Sequence, residues 1–239
     1  MKIEISNLRK TFGSTVACDI PELHVNDGET IGLVGNNGAG KTTLFRMMLD
    51  LQKADSGSIT LTPKGGSAIN VAESEDWKSH TGAYIDEGFL IDFLTPEEYF
   101  AFLAKTAGIS AEETTSRLEC FAPFTGGEVF GKNVLIRNLS AGNKQKVGII
   151  SAFFRQTELV VLDEPFNFLD PTSQNLLKKT IAEYSHDTGA TVIVSSHNLT
   201  HTVDVSTRIV LLEHGKVVRD IPNNGEGDVE TELNDYFKA

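Results

Sequence analysis

Residues Gly35 to Thr43 read G-N-N-G-A-G-K-T-T, the spacing G-x-x-x-x-G-K-[ST] of a phosphate-binding loop. The glycines let the backbone curl until consecutive N–H groups point at one anion. A helix start behind the loop adds partial positive charge. Lys41 then reaches the β- and γ-phosphates of a nucleotide, and Thr42 holds Mg²⁺. A second chemical group closes the run Leu159-Val160-Val161-Leu162-Asp163-Glu164, four apolar residues followed by two carboxylates. A buried parallel strand delivers its last residues to the ligand crevice of an open α/β sheet. Asp163 would stand near the Mg²⁺ of Thr42 through water, since Mg²⁺ keeps several waters. Glu164, one residue on, would orient or deprotonate an attacking water. Ser140 caps a helix running through Val147 to Phe154, and with Gly142 it makes a second anion site. His197 follows the apolar run Thr191 to Val194.

The elements that must position these groups follow from pattern. Ile3, Ile5 and Leu8 alternate as an edge strand, and residues 16–25 and 30–34 read as further strands. The phosphate loop leads into a helix ending near Asp50. Asp55-Ser56-Gly57-Ser58 is turn chemistry, Ile59 to Thr62 alternates as a strand, and residues 63–80 show little periodicity. Thr95-Pro96-Glu97-Glu98 is a helix start, with Tyr99, Phe100, Phe102 and Leu103 as its apolar face. A further helix is expected from about Ser110 to Phe121, so residues 92–138 read as a mostly helical lobe. After Ser140 the order is helix, strand 159–162, helix 172–184, strand 191–194 and strand 208–212. Helices alternating with short, fully apolar strands imply α/β architecture, a parallel sheet covered on both faces.

Composition narrows the function. The 239 residues, 40% hydrophobic, suffice for one sizeable core, or one core with a small lobe. Acids outnumber bases 33 to 21, for a net charge of −12, which argues against a nucleic-acid partner. Cys18 and Cys120 lie far apart without metal-site spacing, so reduced thiols are expected. No apolar run approaches the ~20 residues of a membrane span, and Met1 to Lys10 lacks a signal-peptide core. The expectation is a chain neither secreted nor integral to a membrane.

Taken together these residues resemble the nucleotide-binding subunit of an ATP-binding cassette (ABC) transporter. The likeness runs from about residue 3 to about residue 220. Beyond the phosphate loop and the Asp163-Glu164 strand it includes Leu139-Ser140-Ala141-Gly142-Asn143, similar to the signature L-S-G-G-Q. Leu169-Asp170 matches the D-loop, and Ser195-Ser196-His197 matches the strand end carrying the switch histidine. The resemblance implies a P-loop NTPase core with a parallel sheet, an antiparallel β subdomain and a helical subdomain. In this chain residues 1–91 and 139–220 would form the RecA-like core with its β part, 92–138 the helical subdomain and 221–239 a short acidic tail.

The resemblance also assigns roles. Nucleotide would be held by Phe12 (stacked on adenine), Val16, Asn36, Asn37, Gly38, Ala39, Gly40, Lys41, Thr42 and Thr43. Ser140, Gly142 and Asn143 would complete the site from a second subunit. Glu164, His197 and Lys41 would be catalytic, and Thr42, Asp163 and Asp86 would hold Mg²⁺. Asp86 stands where the family usually has glutamine, and the signature reads S-A-G-N rather than S-G-G-Q. His201, four residues after His197, has no family role. The implied function is MgATP hydrolysis that drives separate transmembrane permease subunits, through an ATP-sandwiched dimer with a second copy or a paralogous ATPase subunit. The exposed apolar patch expected to dock the permease comprises Phe89, Leu90, Phe93 and Tyr99. The location implied is peripheral, on the cytoplasmic face of the membrane. Size and the Leu94-to-Glu97 region are closer to exporter-type cassettes than to sugar importers. The alternatives are a soluble non-transport ABC ATPase, for example of the iron–sulfur assembly type, and a regulatory cassette that senses ATP without hydrolysing it.

Overall fold

The computed structural model describes residues 1–223 and 229–238. In chain order the elements begin with β1 (Lys2–Phe12), β2 (Thr15–Val25), β3 (Thr30–Val34), α1 (Lys41–Met48), β4 (Ser56–Thr62), β5 (Ile69–Asn70) and β6 (Thr81–Tyr84). The helical stretch α2 (Pro96–Ala107), α3 (Ala111–Glu119) and α4 (Ala122–Thr125) follows. The chain then runs α5 (Ala141–Phe154), β7 (Leu159–Leu162), α6 (Pro171–Thr188), β8 (Thr191–Ser196), α7 (Leu199–Val205), β9 (Arg208–Glu213), β10 (Lys216–Pro222) and α8 (Val229–Lys238).

Strands β3, β7 and β8 are buried at every residue, because both faces of their sheet are covered. The period of two splits their side chains between two cores. Ile31, Leu33, Leu159, Val161, Ile193, Val210 and Leu212 face one core, shared with α1 and the antiparallel sheet. Val160, Leu162, Val192 and Val194 face the other, built with α5, α6 and the helical lobe. The six-stranded sheet has the order β10-β9-β3-β8-β7-β6, parallel except for the antiparallel edge strand β10. The second sheet is four-stranded and antiparallel, in the order β2-β1-β4-β5.

The lobe starts as its residues dictate. Thr95 and Glu98 form a reciprocal capping box on α2, with Pro96 in the first turn, and Gly108 (φ 68°) ends the helix. Phe100 packs its ring against Tyr99, Phe130 and Phe154, with centroids 5.5, 5.8 and 5.3 Å away, which ties the lobe to α5. Two expectations need correction here. Leu90 and Tyr99, read as docking residues, are 8% and 6% exposed and belong to the lobe core. Phe102, read as part of the packed face, is instead exposed, as are Phe89 and Phe93. The segment read as irregular, 63–80, is anchored by the buried Trp77 on a short 3₁₀ turn and by the β5 pairing to β4.

Within the stretch read as a tail, residues 221–222 complete β10 and 229–238 form α8, while 224–228 and 239 lie outside the described residues. Val229 and Leu233 pack with Leu199, Ile209 and Leu211.

Candidate functional site

Strand register puts the chemistry on one edge. Val34 pairs with Ser196, Leu162 with Val194, and Tyr84 with Leu162. One or two residues past those pairs, Gly35, His197, Asp163 and Glu164, and Asp86 all emerge at the C-terminal edge of the parallel sheet, where open α/β sheets bind ligands.

The phosphate loop encloses a cavity of about 190 Å³ lined by Asn36 to Thr43, Ala17 and Glu164. Gly40 (φ 106°) makes this curl possible, since a Cβ there would lie 2.3 Å from the Ala17 carbonyl oxygen. Ala17 closes the wall next to the loop. Val16 sits beside it on β2, paired with Thr11, and does not line this cavity. Lys41 is 5% exposed. Its Nζ donates to the Gly35 carbonyl at 2.5 Å and lies 3.3 Å from Glu164 Oε1, an oxygen without a hydrogen-bond donor. Phe12 ends β1 half exposed, with Lys10 Nζ 5.7 Å from its ring centroid.

From the loop a continuous hydrogen-bonded chain crosses the strand ends. Thr42 Oγ1 donates to Asp163 Oδ2 at 2.5 Å, and Ser195 Oγ donates to Asp163 Oδ1 at 2.5 Å. Ser195 Oγ in turn accepts from the Glu164 N–H at 2.8 Å. Glu164 Oε2 accepts from the His197 backbone N–H at 3.2 Å and contacts His197 Nδ1 at 2.8 Å. A carboxylate only accepts, so this contact is a hydrogen bond in the tautomer that has its ring N–H on Nδ1. Burial pushes the Asp163 carboxyl above the usual carboxylate range and the Glu164 charge adds to this, while the Ser195 and Thr42 hydroxyls and Lys41 oppose it. Glu164 itself is held at φ 46°, a left-handed conformation costly for a non-glycine residue.

A hydroxyl and a carboxylate side by side are hard oxygen ligands, the donor type Mg²⁺ takes. Among the described residues no cluster of three or more His, Cys, Asp or Glu could hold a metal by itself. An ion at Thr42 and Asp163 would be held by these two protein ligands and completed by phosphate and water. Asp86 is turned elsewhere: its carboxylate accepts from the Gly88 N–H at 2.8 Å and pairs with Arg46 at 3.5 Å.

Ser140 caps α5 by accepting from the Asn143 N–H at 3.2 Å. Gly142 packs so closely that a Cβ would lie 2.7 Å from the Phe168 carbonyl oxygen. Residues 139–143 contribute nothing to the lining of the phosphate-loop cavity. Ala141 and Gln145 instead border a neighbouring cavity of about 240 Å³, together with Asp86, Asp163 and Glu164. The starts of α1 and α5 therefore border different spaces within one chain.

Sequence reading gave no role to Ser195, although it is the hub between Asp163 and Glu164. It also passed over Gln145, which accepts from the Tyr84 hydroxyl at 3.0 Å and donates to the Glu164 carbonyl at 3.2 Å. Its place two residues past the signature is the one signal that could have pointed to it.

Comparison with known proteins gives concordant matches. The family profile described as ABC transporter matches residues 18–167. The bacitracin transport ATP-binding protein BcrA of Enterococcus faecalis is 33% identical over 221 residues, covering 92% of this chain and 68% of that protein. A solved ATP binding subunit of an ABC transporter has a TM-score of 0.84 at 25% identity, covering 100% of both chains. A bacterial ABC transporter cassette solved as a dimer has a TM-score of 0.81 at 24% identity, covering 93% of this chain and 99% of that one, a likeness of fold.

Proposed function

This chain belongs to the ABC transporter family, and from that premise we propose that it is the ATP-hydrolysing subunit of a transporter whose membrane-spanning parts are separate chains. The observation that carries this reading is the unbroken run Thr42–Asp163–Ser195–Glu164–His197 beside a complete phosphate loop. A hydroxyl, two carboxylates and a histidine joined in this order beside the loop support a phosphoryl-transfer site.

In this reading the loop amides and Lys41 grip the triphosphate, and the adenine rests on Phe12. Thr42 and Asp163 would hold Mg²⁺, which when bound supplies charge neutralisation at the phosphates. Ser195 fixes both Asp163 and the Glu164 backbone, so the two carboxylates keep separate tasks. Glu164 orients the attacking water and takes its proton, and His197 keeps that carboxylate aimed into the cavity. Asp86, held by Gly88 in its own turn and by Arg46 of α1, would have to leave these partners to reach the metal.

The second anion site, at Ser140, Gly142 and Asn143, serves the nucleotide of a second copy or of a paralogous subunit. Its absence from the lining of this chain's own phosphate cavity supports that arrangement. ATP then bridges two subunits, and hydrolysis releases them. No helix among the described residues is long and apolar enough to cross a membrane. Attachment would come through the permease, with the exposed Phe89 and Phe93 as contact residues. The bacitracin-transport relative supports transport over a non-transport ABC ATPase.

Glu164→Gln tests the assignment. It keeps the hydrogen-bonding shape and removes the base, so the variant is expected to bind ATP and elute as a stable dimer without turnover. A monomer that hydrolyses ATP at the wild-type rate would contradict it.

A further inference from the structure

The connection from β7 to α6 carries Glu164, and it is strained. Two non-glycine residues within it, Glu164 (φ 46°) and Phe168 (φ 62°), adopt left-handed backbone conformations. Such residues cost on the order of 1–3 kcal/mol each and persist only where the surroundings hold them. The polar restraints can be named. The Glu164 N–H is held by Ser195, the Glu164 carbonyl by Gln145 and by the Asn167 N–H, and the Phe166 carbonyl by Gln174. A further restraint is aromatic. Phe166, two residues past Glu164 and 4% exposed, stacks face to face on His201, with centroids 4.8 Å apart and 29° between the planes.

His201 lies in α7, directly after the strand end that carries His197. One short segment thus holds the connection at two points four residues apart: His197 on the Glu164 carboxylate and His201 on the Phe166 ring. The buried Nδ1 of His201 does not account for its position, since it has no hydrogen-bond partner, an arrangement that costs stability. The contact the structure shows is through the flat face of the ring.

We propose that His201 is a positioning residue for hydrolysis: by stacking on Phe166 it holds the left-handed turn that aims Glu164 at the attacking water. The proposal rests on the reading of Glu164 given above. Burial pushes the His201 pKa below the ordinary histidine value, with Lys178 and His197 acting in the same sense and Asp204 opposing, which suits a neutral stacked ring. The stack needs an aromatic face rather than an imidazole, so phenylalanine can replace histidine and asparagine cannot.

The test is steady-state hydrolysis by the full chain with His201→Asn, His201→Phe, Phe166→Leu and Glu164→Gln, each with its melting temperature. His201→Asn is expected to lower kcat about tenfold, a barrier rise of about 1.4 kcal/mol, with KM for ATP unchanged within about twofold. His201→Phe is expected to restore kcat to within about twofold of wild type. Phe166→Leu, which removes the stack from the other side, should match His201→Asn, and the double variant should lose no more than either single one. Should His201→Asn fail to fold, Phe166→Leu against His201→Phe carries the same comparison. Wild-type kcat in His201→Asn or Phe166→Leu overturns the proposal, as does a His201→Phe variant no faster than His201→Asn. So does a loss that appears only as a lowered melting temperature. Undiminished hydrolysis by Glu164→Gln overturns the Glu164 reading and this proposal with it. An inactive Glu164→Gln beside a fully active His201→Asn overturns this proposal alone.

Discussion

Removing one oxygen, in Ser195→Ala, is expected to disturb stability and catalysis together. Ser195 is fully buried, donates to Asp163 at 2.5 Å and accepts from the Glu164 N–H at 2.8 Å. The first bond goes to a carboxylate and contributes about 1.5–3 kcal/mol. The second leaves a backbone N–H without its partner, at a cost of about 1–3 kcal/mol. The two share a residue and do not simply add, so the expected loss is roughly 3 kcal/mol. Urea denaturation reads it as a lowered midpoint at unchanged slope. Ser196→Ala is the control, because among the described residues that hydroxyl accepts only from the Asn198 N–H, and a loss near 1 kcal/mol is expected. Hydrolysis by the folded Ser195→Ala protein should fall as well, since the Glu164 turn loses its backbone anchor. A Ser195→Ala loss below about 0.5 kcal/mol, the range of ordinary surface changes, would refute the reasoning.

Phe168→Gly is expected to raise stability by about 0.5–1 kcal/mol, the left-handed penalty of about 1–2 kcal/mol less the larger unfolded-state entropy of glycine. Phe168 is also 73% exposed, so ATP-dependent association of two copies should weaken in the same variant. Lowered stability in thermal melts, or unchanged association by size exclusion, would contradict this. Asp55 gives a pH signature. Lys10 and then Thr11 hold its carboxyl down at about 2, against about 3.9 for an unfolded chain. A depressed carboxylate stabilises the fold above the unfolded value, and that contribution is lost as pH falls from about 4 through about 2. Melting temperature against pH should therefore fall less steeply in Asp55→Asn than in wild type over that window, and parallel curves would contradict it.

Much of the site was legible because its chemistry is local in sequence. Lys41 and Thr42 sit in one loop, and Asp163 and Glu164 end one apolar strand. The parallel sheet was legible for the same reason, as Leu159 to Leu162 and Thr191 to Val194 are apolar without alternation. Ser195 was not, because its role exists only once β8 lies between β3 and β7, a matter of strand order. Gln145 meets the Glu164 carbonyl only through the packing of α5 against the strand ends. Tyr99 and Leu90 show a different limit: an apolar pattern marks a face but not what covers it, and these two are buried in the core that the lobe shares with α5. The stretch holding α8 reads as polar because its described apolar stripe is two residues, Val229 and Leu233, four apart. Left-handed backbone at Glu164 and Phe168 has no sequence signal, since neither is glycine.

The central claim is that one chain's phosphate loop works with another chain's signature. Lys41→Ala disables the first, and Ser140→Asp disables the second while keeping a good helix cap. Each variant alone should fail to hydrolyse ATP. Mixed in equal amounts, they should recover hydrolysis, because one composite site in each mixed dimer is intact. A mixture as inactive as its components, or Ser140→Asp alone hydrolysing at the wild-type rate, would contradict the claim.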